Sequence, residues 1–285
     1  MTAPPGTAQA ALAHASALLF VPATRPERLA KALASGAGAV IVDLEDAVAS
    51  ADKAAARDAF AQAFEALAAA ERGRVLLRIN AAATPWHADD IALAARCVAQ
   101  GLVGVVLPKA ESARVLADLA GALGPQAALL PLVESGAGLD ALDALATAPQ
   151  VLRLVFGHLD FQLDLGMACA DDEAELLPVR LALVRASRRA GLAAPVDGVT
   201  VATGDAPRLA ADAARARRMG FGGKLCIHPA QVAGVRAAFA PSQAELDWAR
   251  RVMAGVETHG DAAFSLDGRM VDAPVVTLAR RTLGR

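Results

Sequence analysis

At 285 residues the chain has the length of one α/β barrel or of two ordinary domains. Its 28 basic and 30 acidic residues are interspersed and leave a net charge of −2, which speaks against nucleic acid or an anionic membrane as partner. Hydrophobic residues make up 55% of the sequence, ample for a large core, yet no apolar run reaches the roughly 18–20 residues of a membrane span.

Residues 1–16 are rich in Ala, Pro and Thr without a core-forming period, and a flexible arm is expected there. No basic segment precedes the first apolar run, so a cytoplasmic protein is expected rather than a secreted one. From Ala17 a rhythm begins. Apolar runs at Ala17–Val21, Ala39–Val42, Val75–Leu77 and Val103–Leu107 read as buried strands. So do Leu129–Val133, Leu152–Phe156, Ala194–Val199 and Gly223–Ile227. Helical stretches are expected between them: Pro26–Gly36, Ala51–Ala70, Pro85–Gln100 and Glu111–Leu119, a crossover over Gly138–Leu145, and Pro207–Met219. Between the sixth run and Glu173 an irregular region is expected, followed by a helix to Ala190. Eight βα units of continuous apolar strands predict a TIM (β/α)8 barrel over 17–240, with an open doubly wound sheet as the alternative. Beyond it, 241–285 reads as a C-terminal helical extension with a lid-like tail. Ser242 and Glu245 stand in capping-box spacing ahead of a helix over Gln243–Glu257.

The stretch Leu129–Asp160 is a strand, a crossover helix and a second strand, so its strands are parallel neighbours and Glu134 and Asp160 reach one rim. Two hard oxygen ligands with room for water and substrate suit Mg²⁺. The plain alternative is two surface carboxylates at loop starts. The same pattern recurs along the chain, however: Arg25 after the first run, Asp43, Glu45 and Asp46 after the second, Arg78 and Asn80 after the third, Lys109 after the fourth, His228 after the eighth. Barrel enzymes carry their chemistry at these strand ends. Asp43, Glu45 and Asp46 equally suit helix capping, and Arg78 an ion pair with Asp43 or Glu45. Cys97, Cys169 and Cys226 lack ligand spacing, and no HxH or HExxH motif is present, so an oxygen-ligated metal is expected.

Several motifs resemble the citrate lyase β-subunit-like family, which includes malyl-CoA and citramalyl-CoA lyases. They are Phe20-Val21-Pro22 with Arg25-Pro26 and Lys31, Asp43-Leu44-Glu45-Asp46-Ala47-Val48, and Leu77-Arg78-Ile79-Asn80 with Thr84-Pro85-Trp86. Leu107-Pro108-Lys109-Ala110-Glu111-Ser112, Lys224–Gln231 and Gly268–Pro274 match as well. The resemblance implies a TIM barrel with Mg²⁺ on Glu134 and Asp160, and Arg78 facing a substrate carbonyl or carboxylate. It implies CoA phosphates near Arg25 and Lys31, and a homo-oligomer, trimer or hexamer, whose C-terminal segment visits a neighbour. On this reading Asp43, Glu45 and Asp46 orient Arg78 or metal-bound water, and Asp272 acts in trans as acid or base, the plain alternative for Asp272 being a cap of the final helix. The implied activity is Mg²⁺-dependent cleavage or formation of a 3-hydroxyacyl-CoA, with a 2-oxo acid and acetyl-CoA as the other partners. A β-subunit of a citrate lyase complex acting on an acyl-carrier-protein thioester is one alternative. A non-catalytic metal-binding barrel is another, disfavoured because Glu134, Asp160, Arg78 and Asp272 are retained together. The sequence departs from the family at Ala23-Thr24, at Leu159, where relatives have Glu, and over Val196–Asp205, which lacks an aromatic residue.

Overall fold

The computed structural model describes residues 6–260 and 262–284. The chain divides into two compact units between Phe239 and Ala240. In the first unit β1 (Ala17–Pro22), β2 (Ala39–Asp43), β3 (Val75–Arg78) and β4 (Gly104–Leu107) are followed by β5 (Ala128–Val133), β6 (Val155–Phe156), β7 (Val196–Asp197) and β8 (Gly223–Cys226). They form a closed barrel in chain order, every neighbour parallel, with Leu18 of β1 paired to Leu225 of β8. This is the TIM barrel that the sequence predicts.

Strand alternation explains why the apolar runs are continuous. Leu18, Ile41, Leu76, Val106, Leu130 and Leu225 pack together as one buried cluster, which the closure of the strands makes the barrel interior. Their immediate neighbours Leu19, Val40, Leu77, Val105, Leu129 and Cys226 belong to the larger cluster under the helices. Both faces of each strand are buried, each large side chain contributing about 1.5–3 kcal/mol.

Some elements differ from expectation. The stretch expected as an arm carries a helix over Thr7–Ala13 with Leu12 buried, while residues 1–5 lie outside the described residues. The helix ends on a buried cation: Arg153 donates from Nη1 to Leu12 O (3.1 Å) and Ala15 O (2.6 Å). The helix after β2 runs only from Lys53 to Glu65, with a separate turn at Ala69–Arg72. The crossover is two short helices, Gly136–Asp140 and Leu142–Ala146, broken at Ala141. The sixth and seventh strands shrink to two residues each, and Arg153 of the sixth run is fully buried, donating from Nε to Ala194 O at 2.7 Å. A helix, His158–Asp164, stands where irregular chain was expected, anchored by buried His158 and Phe161 three positions apart.

In the second unit, the helix Gln243–His259 has the expected capping box, with Ser242 N–H donating to Glu245 Oε2 (2.7 Å) and Glu245 N–H to Ser242 Oγ (3.2 Å). The tail then forms an antiparallel hairpin, β9 (Phe264–Leu266) and β10 (Arg269–Val271), before a last helix over Ala273–Thr282. Ala249, Val252, Val271 and Ala279 form its small core. Among the described residues no helix is long and apolar enough to cross a membrane.

Candidate functional site

The inward alternation continues past the apolar part of each strand. Phe20 follows Leu18 by two, Asp43 follows Ile41, Arg78 follows Leu76 and Glu134 follows Leu132, so these side chains share the barrel's inner face at its carboxyl end. Asp43 and Arg78 are direct register partners. Together with Asp46 and Asp160 they border a cavity of about 400 Å³ whose apolar walls include Leu132, Phe156 and Leu225.

Arg78 is gripped on all sides. Its Nε donates to Asp43 Oδ1 (2.7 Å) and its Nη2 to Asp43 Oδ2 (2.6 Å), a two-pronged pair that fixes the plane of the guanidinium. Nη1 lies 3.0 Å from Glu45 Oε2 and donates to Asp46 Oδ2 at 3.2 Å, and the group sits 4.9 Å from the centre of the Phe20 ring. Burial works against the Arg78 charge, but the hydrogen bonds and charge of Asp43 outweigh it and raise the pKa. Asp43 is itself held by the N–H groups of Glu45 (2.9 Å) and Ala47 (3.1 Å), so it both caps the turn after β2 and orients Arg78. The two roles that sequence left open for Asp43 coexist. Burial pushes Glu45 up to about 7, with repulsion from Asp46 and Asp43 adding to it and Arg78 opposing it. Lys53, buried and depressed in pKa by that burial, pins the same turn through Leu44 O (2.6 Å) and Glu45 O (2.7 Å).

Across the cavity stands Glu134. Its Oε1 accepts from the backbone N–H of Lys109 at 2.7 Å, and Lys109 takes a left-handed φ of 45° to present it. Burial pushes Glu134 up to about 8, helped by the negative charges of Glu45 and Asp160. Gly157 leaves it room: a Cβ there would lie 2.6 Å from Glu134 Oε2. β5 and β6 are parallel neighbours as expected (Val133↔Phe156), but Asp160 sits in the first turn of the helix His158–Asp164 rather than at a strand end. Glu134 and Asp160 border the same cavity all the same. The described residues hold no group of three or more His, Cys, Asp or Glu side chains able to bind a metal. A cation on this pair would take the rest of its shell from water and substrate. Two carboxylates, one of them buried and destabilised by neighbouring negative charge, fit a hard divalent ion of that kind.

Arg25 and Lys31 do not border this cavity. Arg25 and Lys31 are exposed in the segment after β1, and Arg25 Nε is paired to Glu27 at 2.6 Å. Asp272 belongs to the second unit, where its carboxylate caps the last helix by accepting from Val275 N–H (3.3 Å). Sequence reasoning gave no site role to Phe20, which it named only within a family-like motif, nor to Gly157 and Lys53. Alternation from Leu18 would have found Phe20; nothing in the local pattern marks the other two.

The model of the HpcH/HpaI aldolase/citrate lyase family matches residues 16–229. A citrate lyase subunit beta-like protein of Deinococcus radiodurans is 37% identical over 275 residues, covering 93% of this chain and 95% of its own. A (3S)-malyl-CoA thioesterase of Cereibacter sphaeroides is 33% identical over 274 residues, covering 94% and 93%. The crystal structure of CitE from Mycobacterium tuberculosis in complex with magnesium, acetoacetate and coenzyme A superposes with a TM-score of 0.82 at 36% identity, covering 95% of this chain and 98% of that one.

Proposed function

The chain belongs to the HpcH/HpaI aldolase/citrate lyase family, and from that premise we propose that it is a Mg²⁺-dependent carbon–carbon lyase. Its substrate on this reading is a 3-hydroxyacyl-CoA such as malyl-CoA or citramalyl-CoA, cleaved to a 2-oxo acid and acetyl-CoA or formed from them. The observation that carries the proposal is a single cavity with Glu134 and Asp160 on its border and the immobilised guanidinium of Arg78 beside them. The magnesium, acetoacetate and coenzyme A of the Mycobacterium tuberculosis complex support it.

Glu134 and Asp160 would hold the Mg²⁺, which when bound supplies Lewis-acid polarisation of a carbonyl oxygen. Arg78 offers a cation already oriented by Asp43, so it stabilises negative charge developing on the substrate without reorganising. Glu45, pushed up to about 7, can keep or release a proton near neutral pH and so modulate the field on Arg78. The Leu132, Phe156 and Leu225 walls give the reacting centre an apolar lining. Exposed Arg25 and Lys31 are assigned to the CoA phosphates, and Asp272 to proton transfer on a neighbouring subunit of a homo-oligomer.

The thioesterase relative favours a second reading, hydrolysis of the thioester in place of carbon–carbon cleavage. The two differ in product. Purified protein given malyl-CoA or citramalyl-CoA with Mg²⁺ should release glyoxylate or pyruvate, trapped as a phenylhydrazone, together with acetyl-CoA and no free thiol. Free CoA without a 2-oxo acid would establish the thioesterase, and neither product would overturn both.

A further inference from the structure

We propose that Glu173 is a positioning residue that fixes the turn Gly157–Asp160 and, through it, the separation of the Glu134 and Asp160 carboxylates. The inference rests on the reading of that pair as a Mg²⁺ site. Glu173 is buried and adopts a left-handed φ of 50°, a conformation that costs a residue of this kind about 1–3 kcal/mol and persists only where its surroundings enforce it. Two arginines and an imidazole surround it. Glu173 Oε2 accepts from Arg180 Nη2 and from Arg215 Nη2 (2.7 Å), and Oε1 lies 3.3 Å from His158 Nε2. Arg180 continues to Asp197 Oδ1 of β7 at 3.0 Å. One carboxylate therefore ties the helices Leu177–Arg189 and Ala206–Met219, and β7 through Arg180, to the first residue of the helix that carries Asp160.

His158 is confined from its other edge as well. A Cβ added at Gly198 would lie 2.1 Å from His158 Nδ1, so the ring occupies space that only glycine leaves open. Gly157, immediately before it, is the residue against which Glu134 packs, and Asp160 comes two residues after it in the same turn. Asp160 is thus within one helical turn of the imidazole that Glu173 holds, and Glu134 packs on the residue just before that imidazole. Movement of the imidazole shifts Asp160 relative to Glu134.

The test titrates Mn²⁺, a paramagnetic stand-in for Mg²⁺, into the purified protein with detection by electron paramagnetic resonance. Wild-type protein is compared with Glu173→Gln and Gly198→Ala, which disturb the same imidazole from opposite sides. Neither variant alters a residue bordering the Glu134–Asp160 site. Both are expected to weaken Mn²⁺ binding by about 10–100-fold, the scale seen when partners behind metal ligands are lost. The measurement is made at a temperature where circular dichroism shows the variants folded. A purely architectural Glu173 would lower the melting temperature and leave the Mn²⁺ affinity within about twofold of wild type, and that result overturns the proposal. If Glu173→Gln does not fold, Gly198→Ala tests the remaining link, because it displaces the imidazole while Arg180 and Arg215 stay on Glu173; unchanged Mn²⁺ affinity in that variant also overturns the proposal. Wild-type binding that survives in the Glu134→Ala, Asp160→Ala double variant, or that is absent altogether, removes the metal site itself and this inference with it.

Discussion

A guanidinium whose Nε and Nη2 are both committed to Asp43 leaves little for an ammonium to imitate. Arg78→Lys is expected to reduce kcat on the order of 10²–10³, the scale of losing one donor to a developing oxyanion. Steady-state rates within a few-fold of wild type would show that Arg78 only holds the fold. The carboxylates make a second prediction, about pH. Glu134 is raised from 4.5 to about 8 in the folded protein, so its protonated form favours folding. That contribution is fully present below pH 4.5 and is lost as pH rises through about 8; Glu45, raised to about 7, acts with the same sign. A cation needs the carboxylate form and must displace the proton, so the rise in melting temperature given by Mg²⁺ should be smaller near pH 6 than above pH 8. A Mg²⁺ shift that stays constant across that range speaks against Glu134 as a ligand. Glu173 behaves oppositely: burial would raise its pKa, but His158 and Arg180 hold it well below the usual range. Its share of stability is present above the ordinary carboxylate pKa and is lost only in strong acid.

Elements deliver these residues, and the turn after β6 is the one most exposed to a small change. Gly157→Ala would place a Cβ 2.6 Å from both Glu134 Cβ and Oε2, and although the carboxylate can rotate away, the Cβ cannot. It should abolish Mg²⁺-dependent turnover while circular dichroism still reports a folded barrel, and retained turnover would mean that Glu134 can move without penalty. This glycine was not legible in the sequence, and the reason is geometric: its role comes from a residue 23 positions earlier, just past the end of another strand. The strands themselves were legible because both faces are buried and each run is apolar throughout. The helix His158–Asp164 was hidden because its apolar face is only His158 and Phe161, while Leu159 and Leu163 are exposed and blur the period. The hairpin of β9 and β10 could have been found. Its turn is Asp267-Gly268, both with positive φ, and Asp-Gly between short apolar runs is a strong hairpin signal.

At the scale of the whole molecule the site is assembled from β1, β2, β3, β5 and the turn after β6, which meet only because the barrel closes. The pattern of charged residues after apolar runs therefore revealed the rim before any contact was known, but could not say which carboxylates were spent on Arg78. Asp272 is the residue that this barrel does not explain. In the second unit it accepts from Val275 N–H as the cap of the helix Ala273–Thr282. The proposal gives it a second task, proton transfer at the cavity of a neighbouring subunit, and the two tasks separate by substitution. Asn caps a helix about as well as Asp but cannot exchange a proton, whereas Ala does neither and costs about 0.5–2 kcal/mol of cap stability. Asp272→Asn is expected to keep the wild-type melting temperature and lose most of kcat; Asp272→Ala should lose both. An Asp272→Asn variant with full activity would reduce Asp272 to a cap. If the residue acts across subunits, exchange between inactive Asp272→Asn and inactive Glu134→Ala protomers should restore part of the activity. Mixed assemblies place an intact Asp272 beside an intact Glu134 at some interfaces and at no interface of either parent. Activity that stays absent after exchange has been verified by native mass spectrometry would confine Asp272 to its own subunit.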